Sequence, residues 1–243
     1  MNNLWGITDV GLVRRENQDA YAMREAAGHT ICVVCDGMGG AAGGKLASRI
    51  AVETFIQTLE QQLRPAMPPE ELQAATVCAI DAANQAVREA AGQSEAYQNM
   101  GTTLVSAVTC ACGAVVANVG DSRAYHITDK TILRITRDHS LVERMVEEGN
   151  LTPEEARHHP KRNLITRALG PGEDAQCDCY LCFMEAGDYL LLCTDGLVNT
   201  VTDGEMFAEV QKGAPETCLE RLLNIAISQG APDNVTAVLM RKL

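Results

Sequence analysis

The chain has 243 residues, enough for one large domain or two small ones with a sizeable core. Apolar residues make up 46% of it and aromatic residues only 4%, so that core must be aliphatic. The net charge of −12 argues against a nucleic-acid or anionic-membrane partner, because phosphate-bearing surfaces repel it, but it suits a carboxylate site that takes cations. Met1-Asn2-Asn3-Leu4-Trp5 lacks the basic and apolar regions of a signal peptide, and no apolar run reaches transmembrane length. The ten cysteines are therefore read as free thiols of a cytoplasmic protein.

In chain order, residues 4–10 and 19–24 read as strands separated by a polar stretch. Residues 31–36 form a third strand, apolar throughout and ending in Asp36. Ala47, Ile50, Ala51, Thr54, Phe55, Thr58 and Leu59 recur at helical spacing. Pro65, Pro68 and Pro69 close that helix and open another, with Glu70 and Glu71 in its first turn, where the dipole favours them. Leu72, Ala75, Ala79, Ile80, Ala83 and Val87 form its apolar stripe, and residues 92–99 are a polar break. Short strands follow at 102–109, 114–119, 123–128 and 132–135, with turns at Gly113 and Gly120-Asp121, which reads as an antiparallel meander. Ser140-Leu141-Val142-Glu143 and Thr152-Pro153-Glu154-Glu155 match the capping-box pattern of helix starts. His158-His159-Pro160-Lys161-Arg162-Asn163 is a basic patch that faces either an anion or solvent. Strands return at 177–184 and 188–193, Thr202-Asp203-Gly204-Glu205 caps a helix, and Leu219, Leu222, Leu223, Ala226 and Ile227 mark the last one before a strand at 235–240. Strands and helices do not alternate regularly, which suggests antiparallel sheets with helices on their outer faces.

Cys177, Cys179 and Cys182 invite a metal reading, with Cys193 in what reads as the adjacent strand. Their spacing is not the paired two-residue spacing of zinc sites, and small buried hydrophobes is the favoured reading.

Asp36-Gly37-Met38-Gly39-Gly40 follows a buried strand, and taken alone it is a turn. Asp19, Asp121, Asp195 and Asp233 share its grammar, each at a strand end or in the turn beside one. Five such aspartates suggest convergence on one site. Two carboxylates about 4 Å apart repel by roughly 4 kcal/mol at an effective dielectric near 20, so the cluster needs protons or hard divalent cations. A pair of such cations can activate water for in-line phosphoryl displacement. Arg14 could clamp phosphate oxygens or simply pair with Glu16 or Asp19.

Arg14-Arg15-Glu16-Asn17-Gln18-Asp19, Asp36-Gly37-Met38-Gly39-Gly40, Gly101-Thr102-Thr103, Gly120-Asp121-Ser122-Arg123, Thr194-Asp195-Gly196 and Pro232-Asp233-Asn234-Val235-Thr236 occur in order over residues 8–240. On these motifs the chain resembles the metal-dependent protein serine/threonine phosphatases of type 2C, in their compact bacterial form. The resemblance implies an α+β fold: a four-layer αββα sandwich of two antiparallel sheets with helices on both outer faces. It implies a single domain over 1–243, with a flap subdomain at about 139–170. It implies two Mn²⁺ or Mg²⁺ ions per site, one held by Asp36, Asp195 and Asp233, the other by Asp36, the carbonyl of Gly37 and Asp19. Asp121 and Asp195 match the pair that holds a weaker third ion, and Arg14 matches the phosphate-binding arginine. The implied reaction is hydrolysis of phosphoserine and phosphothreonine in proteins by a metal-bridging water, without a phosphoenzyme. The implied partners are phosphorylated proteins and a serine/threonine kinase, with the enzyme a monomer free of nucleic acid and membrane. Many relatives carry a histidine in or just after the Asp-Gly-x-Gly-Gly turn, where this chain has Met38 and Ala41. A leaving-group proton must then come from water or from His139, His158 or His159. A catalytically silent binding module and a small-phosphoester hydrolase are the rival readings.

Overall fold

The computed structural model describes residues 3–243, with the side chains of Ala41, Ala42 and Arg157 outside that description. Met1 and Asn2 of the amino-terminal stretch, and the Ala41 side chain where relatives carry a histidine, therefore lie outside the described residues. The elements run β1 (Asn3–Asp9), β2 (Asp19–Ala26), β3 (His29–Met38), α1 (Gly40–Gln62), α2 (Pro69–Ala91), β4 (Gly101–Thr102), β5 (Leu104–Cys110), β6 (Gly113–Val119), β7 (Arg123–Ile127) and β8 (Ile132–Arg134). They continue α3 (Leu141–Glu147), α4 (Pro153–His158), β9 (Asp178–Phe183), β10 (Tyr189–Cys193), α5 (Asp195–Val198), α6 (Asp203–Gln211), α7 (Cys218–Ser228) and β11 (Val235–Arg241).

The strands form two sheets, ordered β1-β11-β10-β7-β8 and β2-β3-β5-β6-β9, with β4 on the end of β3, and every pairing is antiparallel. Alternation along the strands sorts their side chains into three cores. Cys32, Val34, Val105, Val116, Leu190, Leu192 and Val238 fill the space between the sheets. On the opposite side of β3 and β5, Ile31, Val33 and Leu104 pack on Phe55, Leu59, Leu72 and Ile80 of α1 and α2. Tyr125, Leu191 and Leu239 pack on Leu197, Met206, Leu219 and Leu222 of α5, α6 and α7. The result is the expected four-layer αββα sandwich.

Two expectations need correction. The strands from 102 to 135 are not one meander. β5 and β6 pair in one sheet, whereas β7 and β8 pair in the other, so Gly120-Asp121 is a crossing between sheets rather than a hairpin. For the same reason Cys193 is no neighbour of Cys179. It lies on β10, buried against the α5–α7 layer, while β9 closes the edge of the other sheet. Alternation marks which side of a strand is buried but does not say which sheet the strand joins. The reading as buried hydrophobes holds for Cys182, which sits between the sheets, and in part for Cys177 and Cys179, which are partly buried against the α1–α2 core.

α1 begins seven residues before the first residue of its apolar repeat, directly after Gly39 (φ 116°). Glycine is needed there because a left-handed backbone starts the helix without a spacer. α4 and α6 carry the full capping box, Thr152 with Glu155 and Thr202 with Glu205. At α3, Ser140 caps the Glu143 amide, but the Glu143 carboxylate turns instead to Arg134 at 2.6 Å.

Candidate active site

The strand ends at one edge of the sandwich deliver the aspartates. β2 and β3 run in register so that Asp19 stands opposite Asp36. Asp36 is fixed by its backbone: its N–H donates to Thr103 Oγ1 at 2.9 Å, and its carbonyl accepts from Thr103 N at 2.9 Å and Thr102 Oγ1 at 2.8 Å. From the other sheet come Asp195, opening α5 after β10, and Asp233, just ahead of β11. Asp121 enters from the crossing between β6 and β7. Asp36, Asp121, Asp195 and Asp233 line a cleft of about 410 Å³, with Arg14 and Arg15 on one wall and Asn163 and Ile165 on another. Asp19 lies behind them, taking the Thr194 hydroxyl at 2.9 Å.

The polar loop between β1 and β2 is stapled in place by Asn234. Its amide donates to the carbonyls of Val10 (2.9 Å) and Glu16 (3.1 Å), and its Oδ1 accepts from Gln18 N at 2.8 Å. That staple presents Arg14, whose Nη2 donates to Asp233 Oδ2 at 2.7 Å. The bond to Asp233 holds the guanidinium pKa above its ordinary value, and the Arg14 side chain remains half exposed.

The acids are electrostatically costly. Burial, then the neighbouring charges of Asp19 and Asp195, pushes Asp36 well above the carboxylate range. Burial raises Asp19 to about 7, Asp121 to about 8 and Asp195 to about 6, with repulsion from other members of the cluster adding to each. The charge of Asp195 is among the causes that raise Asp36, so the two acids disfavour ionisation together when no cation is bound. Asp19 Oδ1 and Asp195 Oδ1 are buried without a hydrogen-bond partner. Such orphaned oxygens are what a hard cation would satisfy, and the donor set is all oxygen, as Mg²⁺ and Mn²⁺ prefer. The residues thus fit divalent cations in chemistry and charge. Among the described residues, however, no three His, Cys, Asp or Glu side chains are already gathered as a closed cation-binding set. The acids influence one another's ionisation without being drawn together, and Asp233 gives one oxygen to Arg14.

The proton-donor candidates are placed away from this cluster. His139 is buried, with Nδ1 accepting from Gly120 N at 3.1 Å and Nε2 directed to Asp178 Oδ2 at 3.1 Å. Burial lowers its pKa, which favours the neutral ring. His158 ends α4 and His159 follows it, and neither lines the cleft, although Asn163 of the same basic patch does. Reading the sequence missed the layer behind the acids: Thr194, Thr236, Thr103, Ser122 and Asn234 bond to them or to one another. Thr236 N donates to Thr194 Oγ1 at 3.0 Å, and the Thr103 and Ser122 hydroxyls are 2.7 Å apart. Their presence inside the six motifs was the available signal.

A family model, Protein phosphatase 2C, matches residues 14–230. Protein phosphatase PhpP of Streptococcus pneumoniae is 37% identical over 239 residues, covering 96% of this chain and 95% of that one. The crystal structure of serine/threonine phosphatase Stp1 from Staphylococcus aureus superposes with a TM-score of 0.94 at 34% identity, over 100% of this chain and 96% of that one. The catalytic domain of the serine/threonine phosphatase PstP, solved with two manganese ions, gives 0.86 at 30% identity over 99% and 97% of the two chains. With the fold, the motif order and the acidic cleft in agreement, the chain belongs to the protein phosphatase 2C family and is a bacterial-type serine/threonine protein phosphatase.

Proposed function

We propose that this enzyme removes phosphate from phosphoserine and phosphothreonine of proteins by direct attack of water, and that it opposes a serine/threonine kinase. The observation that carries this is that Asp36, Asp121, Asp195 and Asp233, brought from both sheets, line one cleft with Arg14, while Asp19 is buried within reach of their charge. In this reading Asp36, Asp195 and Asp233 hold one divalent cation, and Asp19, Asp36 and the Gly37 carbonyl a second. Asp121 with Asp195 holds a weaker third. When bound, Mn²⁺ or Mg²⁺ supplies charge neutralisation, a nucleophilic water and stabilisation of developing negative charge on phosphate. The two manganese ions in PstP support that assignment.

The protein's own groups account for the rest. Arg14 binds phosphate oxygens through its planar fork. Its present partner is Asp233, but a half-exposed ion pair is worth about 0–1 kcal/mol, so substrate can take the guanidinium at little cost. Neither the Thr103 hydroxyl, held by Asp36 N and Ser122, nor the Cys35 thiol, fully buried with its pKa pushed up, is placed as an activated nucleophile. In this reading, as the family resemblance implies, water is the attacking group and no phosphoenzyme forms. Residues 139–170, with α3 and α4, act as the flap beside the cleft, and Asn163 and Ile165 face substrate. The protein works as a single-domain monomer in the cytoplasm. Ten thiols, five of them buried, suit a reducing compartment, and among the described residues no helix is long and apolar enough to cross a membrane.

The test is hydrolysis of a phosphothreonine peptide with Mn²⁺, with EDTA, and in Asp36→Ala and Asp195→Ala variants. The expected result is turnover only with Mn²⁺, reduced at least about 10³-fold in either variant. Metal-independent turnover, or unchanged activity in either variant, would sink the mechanism. No turnover at all would favour a binding module.

A further inference from the structure

We propose that His139 is a positioning residue: it clamps the peptide that carries Asp121 and ties it to the 163–167 wall of the cleft, so that cation binding at Asp121 depends on it. The proposal rests on the reading of Asp121 as a cation ligand.

Gly120 lies in the left-handed region, at φ 104°, and a Cβ there would meet Thr103 Cγ2 at 2.6 Å. A glycine is required, and its freedom would let Asp121 swing. His139 removes that freedom from both sides of the residue. Its Nδ1 accepts the Gly120 N–H at 3.1 Å, and its own N–H donates to the Gly120 carbonyl at 2.9 Å. Asn118 Nδ2 donates to the same carbonyl at 3.1 Å. Because Nδ1 accepts, Nε2 carries the proton and donates to Asp178 Oδ2 at 3.1 Å, and that carboxylate fixes the tautomer and the plane of the ring.

The same residue reaches the cleft wall. The His139 carbonyl accepts from Thr166 N at 2.7 Å. Arg167 Nη1 bonds Asp178 Oδ1 at 3.0 Å and the Gln176 carbonyl at 3.1 Å, lying 3.1 Å from Nε2 with the carboxylate as their shared acceptor. Asn163 and Ile165, a few residues back on that segment, line the cleft with Asp121. Ring and main chain of one buried residue thus join three segments distant in sequence: the β6–β7 crossing, the wall at 163–167 and the start of β9. Groups that orient a ligand-bearing peptide in this way typically change metal affinity by tenfold or more when removed.

Calorimetric titration of Mn²⁺ into the metal-free protein tests this, with Gly120 amide exchange and thermal melting measured on the same variants. Asp121→Ala is expected to abolish the weakest Mn²⁺-binding step and so to mark it. His139→Leu should weaken that step by about tenfold, leave the tighter steps within about twofold, and lose protection of the Gly120 amide. His139→Asn, whose Oδ1 can replace Nδ1 as acceptor, should return the step to within about threefold of wild type. Asp178→Ala, which frees the ring but leaves its bond to Gly120, should weaken the step by less than His139→Leu does. An unchanged weakest step in His139→Leu overturns the proposal, as does a loss spread equally over all steps. If His139→Leu does not fold, Asp178→Ala decides, and an unaltered step there overturns it. An Asp121→Ala variant that keeps every step refutes the assignment of Asp121 and takes the proposal with it. A step lost in Asp121→Ala but untouched in the His139 variants refutes the positioning role alone.

Discussion

Asp36 is buried among like charges, which raises its pKa and makes its ionised form costly in the cation-free fold. Function and stability therefore pull this residue in opposite directions. Asp36→Asn keeps the shape and hydrogen-bonding capacity of the side chain but removes the charge. In EDTA at pH 8 the variant should melt higher than the parent, by roughly 2–5 °C, because the unfolded parent gains an ionised carboxylate that the folded one suppresses. Its phosphatase activity with Mn²⁺ should fall at least about 10³-fold. A lower melting temperature would show that the native carboxylate is not penalised and would remove the electrostatic case for cations here. Arg14 behaves differently because it is half exposed and paired to one acid. Arg14→Ala should leave the melting temperature within about 1–2 °C, since exposed ion pairs contribute little. It should raise KM for a phosphopeptide by about tenfold or more, through loss of a charge-assisted bidentate contact. Unchanged KM would return Arg14 to the surface ion pair that its sequence neighbourhood also allowed.

The β3–α1 connection shows why the Asp36 loop is glycine-rich at the scale of an element. A Cβ on Gly37 would stand 2.0 Å from the Gly44 carbonyl oxygen and 2.7 Å from that of Gln18. Both are backbone atoms and cannot rotate away. The first turn of α1 is thereby packed directly on the strand end, and Ser48 Oγ adds a bond to the Gln18 carbonyl at 2.6 Å. Gly37→Ala must separate α1, β3 and the β1–β2 loop. The expected cost is about 2–3 kcal/mol, read as a melting temperature lower by roughly 5–10 °C, with activity lost together with the cleft geometry. A melting point within 2 °C of the parent (roughly 0.5–1 kcal/mol) would show that the contact is loose. The short helix α4 differs in kind. α4 is six residues long and held mainly by its Thr152–Glu155 capping box, so it depends on local bonds rather than on a core.

For the whole molecule the consequence is a stability that depends on pH in opposite ways with and without cations. Asp19 (about 7), Asp121 (about 8), Asp195 (about 6) and Asp36 all have folded pKa values above those of an unfolded chain, near 4. Between about pH 4 and 8 the native state therefore holds more protons than the unfolded state, and stability falls as pH rises through that window. In EDTA the melting temperature should decline from pH 5.5 to 8.5. With saturating Mn²⁺ the decline should flatten or reverse, because bound cations favour the ionised acids and proton competition weakens as pH rises. The gap between the two melting curves should widen with pH, and parallel curves would contradict the cluster as the cation site.

The sequence alone determined most of the elements, though not α5 or the break between β4 and β5, together with the order of the six motifs and the identity of the acids, because alternation, helical spacing, capping and glycine turns are local properties. Asp36-Gly37, Thr194-Asp195-Gly196 and the capping boxes at Thr152 and Thr202 were legible for that reason, and so was the layering of helices outside antiparallel sheets. Only the tertiary structure decided which sheet each strand joins, and so turned Gly120-Asp121 from a hairpin into a crossing between sheets. It also decided that the His139 ring engages Gly120 and Asp178 and is not among the residues lining the cleft. Register within a strand has a period of two that can be read directly, whereas pairing of strands as distant as β1 and β11 depends on how whole layers bury their apolar faces. The acids repel one another wherever they stand close. Their shared burial at one cleft, and the two orphaned oxygens on Asp19 and Asp195, exist only once both sheets have closed.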